Sequence, residues 1–277
     1  MPELPEVELV ARSLDRLVSG RRITSARLLR ARLAPETTPR AFSRRLTGAR
    51  VERVGRRGKH VLFELDAGRV LITHLRMTGR FLLLPPEREL PPHTHALFQL
   101  DDARRLAFAD QRHFGMMKLV AREELDAAKE LRALAPEPFS EAFTVEYLRA
   151  ALARSRRALK ETLLDQTKVT GLGNIYAAEA LLAARLSPFV ASNRLSPRRV
   201  ARLHAAILEI LSDSIAHGST MNVDPEDIDA SYYGGAYEGR WRVYDREGEP
   251  CVFCRSIVRR VTRAGRSTYF CPRCQRR

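Results

Sequence analysis

The spacing of apolar positions divides the chain in two. Past Pro5, residues Val7, Val10, Ala11, Leu14, Leu17 and Val18 form one stripe of helical period that stops at Gly20, which predicts an amphipathic helix packed on a core. From there to about residue 120 the pattern changes to short apolar or alternating runs at 51–54, 61–65, 70–73, 81–84, 96–100 and 105–108, punctuated by Gly, Pro and Asp. Short strands so spaced predict a sandwich or barrel rather than a parallel α/β sheet. From Glu141 the period is helical, over 145–152, 159–164, 176–186 and 197–217, so a domain boundary is expected near 130–138, around Ala135-Pro136-Glu137-Pro138.

Composition adds a partner to this outline. The 277 residues are 44% apolar, enough for two cores, and disorder is not indicated. Lys and Arg outnumber Asp and Glu by 48 to 33, and the resulting net charge of +15 points to a polyanion, with nucleic acid the leading candidate. No run approaches the roughly 18 apolar residues of a membrane span, and no leader pattern precedes the first helix. The expectation is therefore a soluble cytoplasmic protein that does not engage a membrane, with one basic cleft per chain and hence monomeric.

The cysteines are confined to one stretch. Cys251, Cys254, Cys271 and Cys274 form two Cys-x-x-Cys pairs, a spacing that in a basic chain without a leader reads as a single tetrahedral structural zinc site rather than disulfides. Two reduced pairs or a redox dithiol would leave the matched second pair unexplained. Residues 251–277 also hold eight arginines and no acid, which favours phosphate contact.

Five stretches carry candidate chemistry. Removal of Met1 would leave Pro2 with a free secondary amine, and an α-amino group titrates near about 7.7–8.0, some two units below lysine. Such an amine can attack a sugar C1′ to give an iminium, with Glu3 beside it to move protons. Alternatively Pro2, Pro5 and the acids simply open the helix. Lys59 follows Gly58 and by itself reads as surface charge. The loops His74-Leu75-Arg76-Met77-Thr78-Gly79 and Asp110-Gln111-Arg112-His113-Phe114-Gly115 offer Met, Arg and Phe either as wedges between bases or as buried loop anchors. Gly171 and Gly173 precede a helix beginning at Asn174, an anion-binding arrangement, and the absence of a preceding strand argues against a dinucleotide fold.

Taken in order, these stretches resemble the formamidopyrimidine-DNA glycosylase family over nearly the whole chain. The resemblance implies an α+β enzyme with an N-terminal helix and eight-stranded β-sandwich, then a helix-two-turn-helix domain with a C-terminal β-hairpin zinc finger. The corresponding bounds are 1–133, 134–240 and 241–277. It implies a base-excision repair enzyme of the bacterial nucleoid that removes oxidised purines, namely formamidopyrimidines and 8-oxoguanine, from double-stranded DNA and cuts the strand by β,δ-elimination through a Schiff base. Pro2 would be the nucleophile, Glu3 the proton donor and acceptor, Lys59 the promoter of β-elimination and Arg266 the helper in δ-elimination. Met77, Arg112 and Phe114 would fill the void left by the flipped base, with Arg112 reading the opposite base. His74, His93, Arg156, Lys160 and Asn174 would contact DNA. An endonuclease VIII-like enzyme for oxidised pyrimidines and a non-catalytic zinc-finger DNA-binding protein are the alternatives. Ala135, His113 and Arg255 depart from the family's usual residues, and 219–240 lacks its familiar acidic-glycine loop.

Overall fold

The first apolar stripe forms α1 (Leu4–Val18), with Val7, Val10, Ala11, Leu14, Leu17 and Val18 all buried. Pro5 sits in the first turn, where a missing N–H costs nothing, and Glu3 caps the helix in a reciprocal box with Glu6. The computed structural model describes residues 2–229, 235–237 and 239–276. These divide into two units, Met1–Arg132 with Gly218–Ala236, and Ala133–His217 with Tyr237–Arg277. The segment 218–236, which the sequence reading places in the helical domain, thus belongs with the first unit.

In that unit β1 (Ile23–Leu28), β2 (Val51–Arg57), β3 (His60–Leu65), β4 (Arg69–His74), β5 (Gly79–Leu84), β6 (Thr94–Leu100), β7 (Arg105–Asp110) and β8 (Met116–Ala121) make the eight-stranded sandwich. The sheets run β1-β6-β7-β5 and β2-β3-β4-β8, antiparallel throughout. Their inner faces and the stripe of α1 enclose one core, where the Phe63, Phe81 and Phe108 rings meet edge to face. Six strands coincide with the six apolar runs. The other two, β1 and β8, lack such a run because a register shift near Ser25 breaks the alternation of β1, and β8 is only half buried. A short helix, α2 (Pro39–Leu46), buries only Phe42 and Leu46 and so shows no stripe.

Two features of this unit position the site. Gly79 pairs with Asp110 and His74 with Met116, so the β4–β5 and β7–β8 turns emerge from the same end of the sandwich. Residues 223–225 of the 218–236 segment lie against the sandwich, with the Leu83 N–H donating to the Pro225 carbonyl at 2.8 Å and Val223 packed on the core.

The second unit contains α3 (Val145–Ala153), α4 (Leu159–Leu163), α5 (Asn174–Ala183) and α6 (Pro197–Ala216), then the hairpin β9 (Arg259–Arg263) and β10 (Arg266–Phe270). Helix α5 is buried almost all round, as befits a helix whose apolar residues form no single face, and it packs against α6 and β10. Its buried Glu179 accepts the amides of Arg242, Val243 and Tyr244 at 2.8–2.9 Å, fixing the approach to the hairpin. No helix among the described residues is long and apolar enough to cross a membrane.

Candidate functional site

Pro2 is buried immediately before the capping box that starts α1. Glu3 is only 2% exposed, and its N–H donates to Glu6 Oε2 at 2.8 Å. The other Glu6 oxygen accepts the Thr220 hydroxyl at 2.9 Å and its amide at 3.3 Å. One buried carboxylate therefore joins the N-terminal turn to the 218–236 segment. A cleft opens there, lined by Pro2, Glu6, Val10, Leu75, Gly79 and Met221 among others. A group at the proline nitrogen thus has a fixed position against an apolar wall with acids beside it. Met1 lies outside the described residues.

Lys59 occupies the two-residue turn Gly58-Lys59 between β2 and β3 and is 7% exposed, so it is not the surface charge that its neighbours alone would suggest. Arg56 steadies this turn from within, bonding the Gly58 carbonyl and reaching Glu8 of α1 at 2.8 Å. Burial works to raise the Glu8 pKa, but the bonds from Arg56 and Arg12 outweigh it and hold the carboxylate ionised. The next residue, His60, faces His74 across the β3–β4 pair, rings edge to face at 4.6 Å. Burial pushes His60 down to about 4, and burial together with the His60, Arg76 and Lys59 charges pushes His74 to about 2. Both imidazoles are neutral at physiological pH. The Arg76 amide donates to His74 Nδ1 at 2.9 Å, so the neutral ring keeps its proton on Nε2 as a donor. His74 precedes Leu75, which lines the same cleft as Pro2, and its ring meets His60, the residue after Lys59.

The two loops of the sequence reading are tied together by a residue it left without a role. Asp110, fully buried, accepts the Thr78 hydroxyl, the Gly115 amide at 2.6 Å and the Arg112 amide at 3.2 Å. Burial would raise its pKa, yet these donors keep it ionised. The Arg112 amide also reaches Thr78 Oγ1 at 3.0 Å. Such closeness demands glycine at both loop ends: a Cβ on Gly79 would stand 2.5 Å from the Leu75 carbonyl oxygen, and one on Gly115 2.8 Å from the Phe108 ring. Met77 is left half-buried, and Arg112 lies over the Phe114 ring at 5.3 Å with Phe114 half exposed. An exposed phenylalanine on a rigid loop suits insertion rather than anchoring. His93, exposed and with φ +61°, stands edge-on to His113 at 5.5 Å.

In the second unit Lys160 is buried and donates to the Ser267 carbonyl at 2.7 Å and the Thr268 hydroxyl at 3.1 Å. Asn174, at the first turn of α5, donates to the same carbonyl at 3.1 Å, leaving its buried Oδ1 without a hydrogen-bond partner among the described residues. Arg266 opens β10 and shares a cleft with Lys160, Phe189 and Arg263. Arg156 is exposed before α4. This is a basic pocket beside a helix N-terminus, suited to a phosphate.

The four cysteine sulfurs all lie within 4.8 Å of one another, Cys251 and Cys274 at 3.9 Å, Cys254 and Cys271 at 3.5 Å. A zinc ion with Zn–S bonds of about 2.3 Å holds tetrahedral sulfurs about 3.8 Å apart, so the site fits. A zinc held by these four cysteines would fix the base of the β9–β10 hairpin. Gln275 braces it further, accepting the Cys271 amide and donating to the Leu186 carbonyl.

Comparison with known proteins gives the same order of parts. Residues 1–117 match the formamidopyrimidine-DNA glycosylase N-terminal domain, 134–224 the formamidopyrimidine-DNA glycosylase H2TH domain, and 248–277 a zinc finger found in FPG and IleRS. The formamidopyrimidine-DNA glycosylase of Desulforamulus reducens is 42% identical, over 100% of this chain and 99% of the relative. This chain belongs to the formamidopyrimidine-DNA glycosylase family. The Caulobacter vibrioides glycosylase is 41% identical, over 99% of this chain and all of its own. Among solved structures, Lactococcus lactis Fpg bound to abasic-site DNA superposes with a TM-score of 0.91 at 33% identity, covering 99% of this chain and all of its own. The Thermus thermophilus enzyme gives 0.87 at 39%, covering 99% and 98%. Family membership makes this an enzyme of DNA repair that binds DNA.

The departures from the family's usual residues have local explanations. Ala135 is not among the residues with positive φ, so it needs none of glycine's freedom. Arg255 has φ +63°, the conformation for which glycine is the ordinary choice, and it tolerates this while donating its amide to Cys251. His113 has φ +60°, a conformation histidine enters more readily than most side chains. Residues 230–234 and 238 of the divergent 219–240 stretch lie outside the described residues.

Proposed function

We propose that this enzyme is a bifunctional DNA glycosylase and AP lyase for oxidised purines, acting in the bacterial cytoplasm on nucleoid DNA. The observation that carries the reading is the buried N-terminal turn, where Pro2 lines a cleft and Glu3 and Glu6 flank it. With Met1 removed, the Pro2 amine attacks C1′ of the flipped nucleotide, and the base departs as Glu3 supplies and removes protons. The iminium draws electrons from the sugar, so the 3′ and then the 5′ phosphate leave, with Lys59 and Arg266 assisting the two eliminations. Lysine is a poorer first nucleophile, since its amine titrates near about 10.4.

Met77, Arg112 and Phe114 occupy the vacated stack, offsetting an unstacking cost of about a few kcal/mol. Arg112 reads the opposite base. His74, His93, Arg156, Lys160 and Asn174 hold the backbone. Residues 1–133 carry the chemistry, aided by 218–236, while the rest of 134–240 and the zinc finger at 241–277 grip DNA. The L. lactis relative has been solved both with Fapy-dG DNA and with DNA containing an oxidised pyrimidine, and the second complex favours some activity on pyrimidine lesions as well.

Borohydride trapping on duplexes carrying formamidopyrimidine, 8-oxoguanine or thymine glycol tests the reading. The adduct is expected on the N-terminal proline, with both purine lesions preferred. Glu3→Gln should lower base excision by about 10²–10⁴-fold while leaving binding largely intact. An adduct mapped to Lys59, or a preference for thymine glycol, would refute it.

A further inference from the structure

A second histidine pair lies behind the loop that carries Arg112 and Phe114. His113, the residue between them, places Nδ1 at 2.9 Å from Nε2 of His95, a buried residue near the start of β6. The two ring planes are nearly parallel, 16° apart, with their centroids at 4.9 Å. We propose that the His95–His113 bond is a positioning device for the opposite-base reader: it locks the Arg112-His113-Phe114 tripeptide onto the sandwich and releases it when both imidazoles are protonated.

The geometry supports this in three ways. Asp110 grips the loop through the backbone amides of Arg112, Phe114 and Gly115, whereas the His95 bond holds it by a side chain, with the His93 ring edge-on to His113 at 5.5 Å on its other side. The φ of +60° at His113 is an unfavoured backbone state, which the surroundings must hold in place. Finally, an imidazole–imidazole bond needs one ring to donate and the other to accept. It survives with both rings neutral or with one extra proton, but two extra protons set N–H against N–H and charge against charge.

The surrounding charges set the balance. Arg30 beyond β1, His93 before β6, Asp110 of β7 and His113 itself all act on His95. Burial and then the His113 charge lower the His95 pKa, Asp110 opposes them, and Arg30 and His93 add to the lowering. His95 is therefore neutral and able to accept at neutral pH. With its folded pKa below the ordinary imidazole value of about 6.5, the lock is fully present above that value and is lost as pH falls through the lowered one.

The inference rests on the proposed role of Arg112, and the experiment separates the two. The readout is the ratio of kcat/KM for 8-oxoguanine opposite cytosine to that opposite adenine, between about pH 8 and about pH 5. Titration of Pro2 and Glu3 acts on the lesion strand whichever base lies opposite, so it cancels in the ratio. The natural protein should lose about tenfold of its discrimination or more across the acid range. His95→Gln and His113→Gln, whose amides can still bond the remaining imidazole but do not gain charge, should give a ratio that is flat with pH. His95→Ala should show the lowered ratio at every pH, with thermal melting used to confirm that it is folded. An acid loss that persists in both Gln variants, or full discrimination at about pH 8 in His95→Ala, would overturn the lock. If Arg112→Ala flattens the ratio while the histidine variants do nothing, only this inference falls. If Arg112→Ala leaves the ratio intact, the Arg112 reading falls and takes the lock with it.

Discussion

Glu6 gathers donors from two distant parts of the chain, among them the Glu3 amide and the hydroxyl and amide of Thr220. Hydrogen bonds to a buried carboxylate contribute about 1.5–3 kcal/mol each, and a Gln in its place must turn an NH₂ toward one set of donors. Glu6→Gln is therefore expected to destabilise the first unit by about 1–3 kcal/mol and to lower kcat on lesion DNA, because Pro2 loses its fixed bearing. Denaturant melts and steady-state kinetics check both effects, and an unchanged kcat would show that the turn is held by other means. At this scale the sequence was legible for groups whose chemistry is their side chain: paired cysteines and an arginine–phenylalanine loop. It was silent on Glu6, Asp110 and His95, whose work is to accept or make bonds with partners far away in the chain.

Among elements, the pairing of β3 with β4 puts two neutral imidazoles beside Lys59. Both His60 and His74 have folded pKa values below the ordinary one of about 6.5, so the unfolded chain binds more protons than the folded one over the interval between. Stability from this source is complete above about pH 6.5 and declines as the pH falls toward about 4 for His60 and then about 2 for His74. Acid unfolding of the first unit should accordingly begin below about pH 6.5, and His60→Gln should make its midpoint less pH-dependent in that range. Urea midpoints across the range decide it, and identical slopes in both proteins would count against the assignment. Elements were read best where one face is apolar over several residues, as in α1, β3 and α6. They were missed where burial is partial or interrupted, as in β1, β8 and α2, because a short element with two buried positions has no period to detect.

For the whole molecule, the sulfur cluster and the two-unit division make separate responses expected. Removing zinc with a chelator should loosen the hairpin that carries Arg266 and weaken DNA binding, since metal binding and local folding are one equilibrium there. The first unit, which holds none of the cysteines, should keep its melting transition. Calorimetry alongside abasic-duplex titration tests this, and normal binding by zinc-free protein would sink it. The division into a strand-rich part and a helical part was legible in the change of period near residue 135. The return of 218–236 to the first unit was not, because that stretch contributes a few contacts, such as Thr220 to Glu6 and Pro225 to Leu83, rather than a pattern. That return also governs how the protein comes into being. A ribosome releases Pro2 first and the far wall of its cleft, at Met221–Asp227, only after the helices α3–α6 of the second unit have emerged. A nascent chain halted near residue 140 should therefore hold a sandwich with an open, protease-sensitive N-terminal turn, and protection of that turn should arrive only with lengths that free residue 236 from the exit tunnel.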